Sequence, residues 1–360
     1  MSHRLRTDIL SRVYRENDLS AAALAGVTAL DAELEAAATT RLSPLPADDG
    51  GADGAAWAAI LAPHLAAGAT WLSAPWVVTE FYAYRRLLGA LGWFRARAGD
   101  GGERLDPFVV QKELGLRSAA ARVDALAAMV AATRAGGGPP PTPGGGVRHL
   151  PPPLHLVVDN AGFELFSDLC LADILLAGGW ASTVVLQCKS HPTFVSDACA
   201  KDVTWAVGEL GRSPVAATAE LGRRWEGLLA SGRLVLVEND FWVQPSAFWE
   251  MGAALRAELG GASLVIVKGD ANYRRLLGDR QWAFDTPFAD VTAYFPCPVL
   301  ALRTLKAELA VGIPPAAAAA AAAADPTWLV SGAYGVVHFC HPAEVLAARG
   351  GAPAAPAASG

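Results

Sequence analysis

Several signatures that would assign a function at once are missing from this chain of 360 residues. It has no GxxxxGK[ST] phosphate loop, no GxSxG nucleophile elbow, and no DxD after its first strand-like run. Those absences set aside P-loop chemistry, the α/β-hydrolase serine and a covalent aspartyl-phosphate intermediate. A dinucleotide or ordinary methyl-donor fold places a glycine-rich turn after strand one. Here that position reads Asp159-Asn160-Ala161-Gly162, and the dense glycine cluster lies elsewhere, between Gly136 and Gly146. Basic residues are scattered and the formal net charge is -6. No Lys/Arg stripe therefore offers a surface to nucleic acid or an anionic membrane.

Cysteine is also sparse. Cys170, Cys188, Cys199, Cys297 and Cys340 are an odd set without CxxC or zinc-type spacing, and three of them interrupt apolar runs. They read as reduced core thiols of a cytosol-like compartment. No segment supplies the ~18 consecutive apolar residues of a membrane span. The alanines from Ala316 to Ala324 are too few and too weakly hydrophobic. The N-terminus, MSHRLRTDILSRVYREND, alternates charge with aliphatics and lacks the apolar stretch of a signal peptide. The expectation is a soluble, cytoplasmic protein, with its oligomeric state open.

What is present is ample core material, 52% hydrophobic residues. Glycine and proline in GGGPPPTPGGG divide the chain. Before that connector helical periodicity recurs, as in ILSRVYREN, WLSAPWVVTEFYAYRRLLGALGWF and SAAARVDALAAMVAATRA. After it, short β-branched runs alternate with helical ones: HLVVD, STVVLQCK, RLVLVEND, SLVIVKGD, PVLALRT and YGVVHF. The predicted fold class is α/β, a helical N-terminal region followed by a three-layer α-β-α sandwich with a mostly parallel, doubly wound sheet. The expected organisation is a helical region over 1–135, a linker over 136–153, the α/β domain over 154–345 and a disordered tail over 346–360. The alanine tract is expected to be a surface insertion.

Ligands of open parallel sheets bind beyond the carboxyl ends of the strands. In this chain those ends are polar: Asp159-Asn160 with Glu164, then Lys189-Ser190-His191 with Ser196-Asp197, Glu238-Asn239-Asp240, Lys268-Gly269-Asp270, and Arg303-Thr304-Leu305-Lys306. Each has a bland alternative. Asp159, Asn160 and Ser196-Asp197 have the form of helix caps, and Glu164 suits a first helical turn. Asp106-Pro107 looks like an N-cap followed by proline. Glu80 and Arg85-Arg86, among aromatics, either cover a site or form an ion pair, and the ion pair is preferred. Recurrence of acid, amide and base on successive strand ends exceeds what capping requires. The hard oxygens of Asp and Asn suit Mg, Mn or Co, and Lys306 and Arg274 are candidates to neutralise a phosphate. The reading is phosphate-ester hydrolysis by metal-activated water.

These motifs resemble the metal-dependent damage-control phosphatases, also described as protein-glutamate O-methyltransferases or acidic residue methyltransferases. The similarity is to the sugar-phosphate subfamily and runs from about Arg41 to Pro342. It rests on DNAGFELFSDLCLADILL, KSHPTFVSDA, ENDFWVQPSAFWEM, LVIVKGDANYRRLLGDR and LRTLKAE, the last holding an RTxK motif. WLSAPWVVTEFYAYRRL and DPFVVQKE in the helical half also look like the family's pattern. The resemblance implies metal ligation and catalysis by Asp159, Asn160 and Asp197. It implies substrate contacts from Asp159, Asn160, Asp270, Ala271, Asn272, Tyr273, Arg274 and Lys306. Glu164 matches a position tied to methyl-donor binding. The implied substrates are fructose 1-phosphate or fructose 6-phosphate, in metabolite damage control, with Mn, Co, Ni or Mg. Ala271 replaces what is often leucine there. The alternatives are an S-adenosylmethionine-dependent protein-glutamate carboxyl methyltransferase and a non-catalytic sugar-phosphate sensor.

Overall fold

The computed structural model describes residues 1–47, 49–95, 104–136 and 151–350. The N-terminal half is helical. α1 (Ser2–Arg4) continues through a π-helical stretch (Leu5–Leu10) into α2 (Ser11–Glu16). α3 (Ala21–Glu35), α4 (Gly54–Ala66), α5 (Trp76–Ala90), α6 (Val109–Arg117) and α7 (Ala120–Gly136) follow. The apolar stripes of the π-helical stretch and of α2 to α5 meet in one core containing Val27, Trp57, Trp71, Phe81 and Tyr82, whereas α6 and α7 pack with the α/β half.

The second half alternates as expected: β1 (Leu154–Val157), α8 (Phe163–Ala177), β2 (Val184–Lys189), α9 (Ala200–Gly211), α10 (Ala216–Ala230) and β3 (Leu234–Asn239). After two 3-10 turns come α11 (Ala253–Gly260), β4 (Leu264–Lys268), α12 (Asp270–Leu276), α13 (Phe288–Thr292), β5 (Val299–Thr304), α14 (Pro315–Ala324), β6 (Gly335–Cys340) and α15 (Pro342–Arg349). The six strands are ordered β3-β2-β1-β4-β5-β6. Neighbours pair in parallel except β6, which runs antiparallel to β5. Separate cores cover the two sheet faces. One holds Leu154, Leu156 and Val158 against α7 to α10, the other Val157, Val265 and Val267 against α11 to α13. The strand order reverses direction at β1, between β2 and β4. Such a switch point opens a crevice at the carboxyl ends.

The expected linker lies largely outside the described residues; α7 runs to Gly136 and β1 starts at Leu154. The tail expected to be disordered from 346 is instead helical to Arg349. Pro342 opens that helix and Gly350, at φ 65°, closes it in the left-handed conformation that favours glycine. Residues 351–360 lie outside the described set. The alanine tract forms α14, opened by Pro315 and without a buried residue, because alanine needs no tertiary packing to favour a helix. All five cysteines are buried free thiols. No helix among the described residues is long and apolar enough to cross a membrane.

Candidate metal and phosphate site

The switch-point crevice is occupied by the residues at the strand ends. β1 runs into Asp159 and Asn160, and Gly162, not either of them, sits at the N-cap of α8. Similarly Cys199, not Asp197, caps α9. The capping alternative therefore fails for all three residues, whose side chains face one another. Backbone bonds clamp the two loops together: Ala161 N–H donates to Ser196 O at 2.6 Å and Ala198 N–H to Asp159 O at 2.8 Å. Asn160 and Asp197 form an isolated antiparallel bridge. To bring Asp197 back, the chain passes through Phe194 at φ 51° and Val195 at φ 68°. Left-handed geometry is exceptional for a β-branched residue, costing on the order of 1–3 kcal/mol, and such outliers concentrate at functional sites. The N-terminal half braces this turn, Phe194 meeting Phe81 edge-on at 4.7 Å between ring centres.

Asp159 and Asp197 are both buried, at 9% and 3% exposure. Burial, and then the charge of Asp197, push the Asp159 carboxyl well above its ordinary range. Burial also raises Asp197, opposed by the ammonium of Lys189. That ammonium, itself fully buried, stands 3.2 Å from Asp197 Oδ2 but off hydrogen-bond geometry, leaving this oxygen without a hydrogen bond. Asn160 Nδ2 donates to Asp159 Oδ2 at 3.0 Å and to Glu164 Oε2 at 2.9 Å, while Ser196 Oγ donates to Asn160 Oδ1 at 2.6 Å. The amide nitrogen thus faces Asp159, and ligation by Asn160 Oδ1 on that side requires the amide to turn over. No three His, Cys, Asp or Glu side chains group as a metal site among the described residues. The donor set is two carboxylates and an amide. Two buried carboxylates, the charge of Asp197 raising the proton affinity of Asp159, with one oxygen that accepts no hydrogen bond, fit a hard divalent cation.

A cavity of about 520 Å³ opens at this edge, lined by Asp159, Asn160, Glu164, Lys268, Asp270, Arg303, Thr304 and Lys306, with Val336 and Val337 from β6. Lys268 Nζ is held by Glu164 Oε1 at 2.8 Å and Asp168 Oδ1 at 2.6 Å. Arg303 is buried, binding Asp270 at 2.7 Å and the carbonyls of Ala307 and Leu309. It folds the loop that presents Lys306, which is exposed on the cavity.

Not every expected substrate residue reaches this cavity. Asn272 is buried, donating to Lys268 O at 2.9 Å. Tyr273 is buried with its hydroxyl 3.2 Å from His338 Nδ1. Arg274 pairs with Asp279 at 2.5 Å and stacks over Trp76, 4.0 Å from the ring centre. Neither these three nor Ala271 line the cavity; α12 turns them to other faces, whereas Asp270 at its start does line it. The basic side is thus Lys268, Arg303 and Lys306. Lys268, Arg303 and the supporting Lys189 each close or nearly close a strand, and stand among the strand-end residues that the sequence singles out without assigning them a role. Asp168 stands one helical turn past Glu164. Glu80 pairs with Arg4, and Arg85 with Asp49 and Asp53 at 2.7 Å, so these are structural ion pairs.

Residues 153–321 match the model of the damage-control phosphatase ARMT1-like domain. Over that segment the chain is similar to this domain. Outside this segment, Phe81 braces the turn that carries Asp197. Among relatives, the bovine damage-control phosphatase ARMT1 is 40% identical over 191 residues, covering 52% of this chain and 43% of that protein. The human one is 37% identical over 193 residues, covering 52% and 44%. The match thus takes in less than half the length of these relatives. A crystal structure of a DUF89 family protein from Pyrococcus horikoshii aligns with a TM-score of 0.42 and 12% identity, over 85% of this chain and 90% of that one.

Proposed function

We propose that this chain is a divalent-metal-dependent phosphomonoester hydrolase acting on small sugar phosphates of the fructose 1-phosphate or fructose 6-phosphate type. The observation that carries the reading is one cavity with Asp159, Asn160 and Glu164 facing Lys268, Arg303 and Lys306. The relatives' name, damage-control phosphatase, agrees with it. Asp159, Asn160 and Asp197 would hold the cation, which when bound supplies Lewis acidity and a more acidic water. Manganese, cobalt, nickel and magnesium all suit these oxygen donors. Lys306, exposed on the cavity wall, binds a phosphoryl oxygen by a charge-assisted hydrogen bond. Arg303 keeps that lysine in place through its bonds to the loop. Glu164 is committed to Asn160 and Lys268, so it orients the amide and the ammonium.

The test is phosphate release from fructose 1-phosphate and fructose 6-phosphate by the full chain. The expected result is turnover that requires a divalent ion and is abolished in Asp159→Ala. Robust turnover after complete chelation, or metal binding without turnover on a phosphomonoester panel, contradicts the reading. The second of these results would favour a sensor.

A further inference from the structure

Lys112, on α6, is only 4% exposed although it carries a charge. Burying an ammonium is tolerated only where partners repay its lost hydration. Its Nζ lies 3.0 Å from Asp106 Oδ2 and 2.7 Å from Asp202 Oδ2. Lys201 closes the cluster, 2.6 Å from Asp106 and 2.8 Å from Asp202. Phe108, not Asp106, is the N-cap of α6; Asp106 lies two residues earlier and accepts the Phe108 N–H at 2.9 Å.

The cluster reaches the loops of the candidate site. Asp202 Oδ2 also accepts the Cys199 N–H at 2.9 Å, anchoring the start of α9 two residues after Asp197. The intervening Ala198 is bonded through its N–H to Asp159 O at 2.8 Å and through its carbonyl to Lys189 N at 3.0 Å. One turn along α6 from Lys112, Gly115 packs on Gly162, in the turn that follows Asp159 and Asn160. A Cβ at Gly162 would lie 3.0 Å from the Gly115 carbonyl carbon. One helix of the N-terminal half, outside the matched segment 153–321, therefore supports both acidic loops.

We propose that Lys112 is a positioning residue for the divalent-cation site, fixing the Asp197 loop through Asp202 and Cys199. The inference rests on the assignment of Asp159, Asn160 and Asp197 as metal ligands. Loss of a residue that orients metal ligands typically weakens metal binding by about 10–100-fold.

The experiment is calorimetric titration of Mn²⁺ into the full chain, with thermal unfolding measured with and without the ion. Lys112→Met is expected to weaken Mn²⁺ binding by about 10–100-fold and to shrink the metal-induced rise in Tm, with Lys112→Arg restoring part of both. Arg224→Met breaks a different ion pair, 2.5 Å from buried Asp173. It is expected to lower Tm and leave Mn²⁺ affinity unchanged. Should Lys112→Met fail to fold, Asp106→Asn, which keeps the side-chain shape, is expected to weaken binding in the same direction. A folded Lys112→Met or Asp106→Asn protein with wild-type affinity overturns the proposal. So does a loss of affinity in Arg224→Met equal to that in Lys112→Met. A wild-type chain that binds no Mn²⁺ overturns the metal assignment itself, and the proposal with it.

Discussion

Gly269 lies so close to Asp159 that a Cβ at 269 would stand 2.1 Å from Asp159 Oδ2. The backbone there has φ +89°. Gly269→Ala therefore incurs two costs at once, a left-handed backbone worth about 1–3 kcal/mol and displacement of the carboxylate. The expected outcome is loss of most divalent-ion affinity with a smaller loss of stability, checked by metal titration beside chemical denaturation. The same backbone with unaltered metal binding would show that the approach is incidental.

Lys189 is the buried counter-charge of Asp197. Removing one partner of a buried pair leaves the other uncompensated, at about 3–5 kcal/mol. Lys189→Met is expected to destabilise the apo protein by that order, measured as a shift in denaturant midpoint at unchanged slope. A change under about 1 kcal/mol, the typical value of an exposed pair, would contradict the assignment of a buried one.

Both the architecture and the outline of this site were legible because strands and helices have different hydrophobic periods. STVVLQCK and SLVIVKGD could bury both faces only in a covered sheet, and each ended in the polar residues that the crevice uses. α4 was hidden, since its buried Trp57 and Leu61 sit among alanines that blur the period. The sequence offers Arg274 as a phosphate partner, but the direction of an arginine on α12 depends on how that helix is turned, and Arg274 lies against Asp279 and Trp76. The neighbouring Arg275 is buried against Phe241 and Phe248. The roles of Arg303 and Lys112 depend on contacts between distant segments, which no local pattern encodes.

Asp168 supplies a pH prediction. Burial raises its carboxyl from the ordinary 3.8 to about 6, with Lys268 opposing. The folded state then binds more protons than the unfolded chain between those values, so this group's contribution to stability falls as pH rises through the window. Asp168→Asn removes the titration. Its stability relative to wild type is expected to improve from pH 4 to pH 6 and then level off, as read from denaturation curves across that range. A relative stability that declines with rising pH would refute the raised value.

Lys306 is exposed on the cavity wall, and among the described residues its ammonium forms no ion pair. Lys306→Met is expected to leave stability within about 0.5 kcal/mol of wild type. A lost charge-assisted hydrogen bond, worth about 1.5–3 kcal/mol, should lower kcat/KM for a phosphomonoester by about 10–100-fold. Steady-state phosphate-release kinetics check this, and unchanged kcat/KM would remove Lys306 from the site.

In the proposed site a divalent cation lies between Asp159 and Asn160 on the cavity wall and Asp197, which is not part of the lining, while a phosphoryl group meets the basic wall. A crystal structure of the full chain grown with Mn²⁺ and inorganic phosphate, with anomalous diffraction locating the ion, tests this arrangement most directly. The predicted map has manganese among Asp159, Asn160 and Asp197, with phosphate reaching Lys306. Manganese bound elsewhere, or phosphate outside this cavity, would contradict the account.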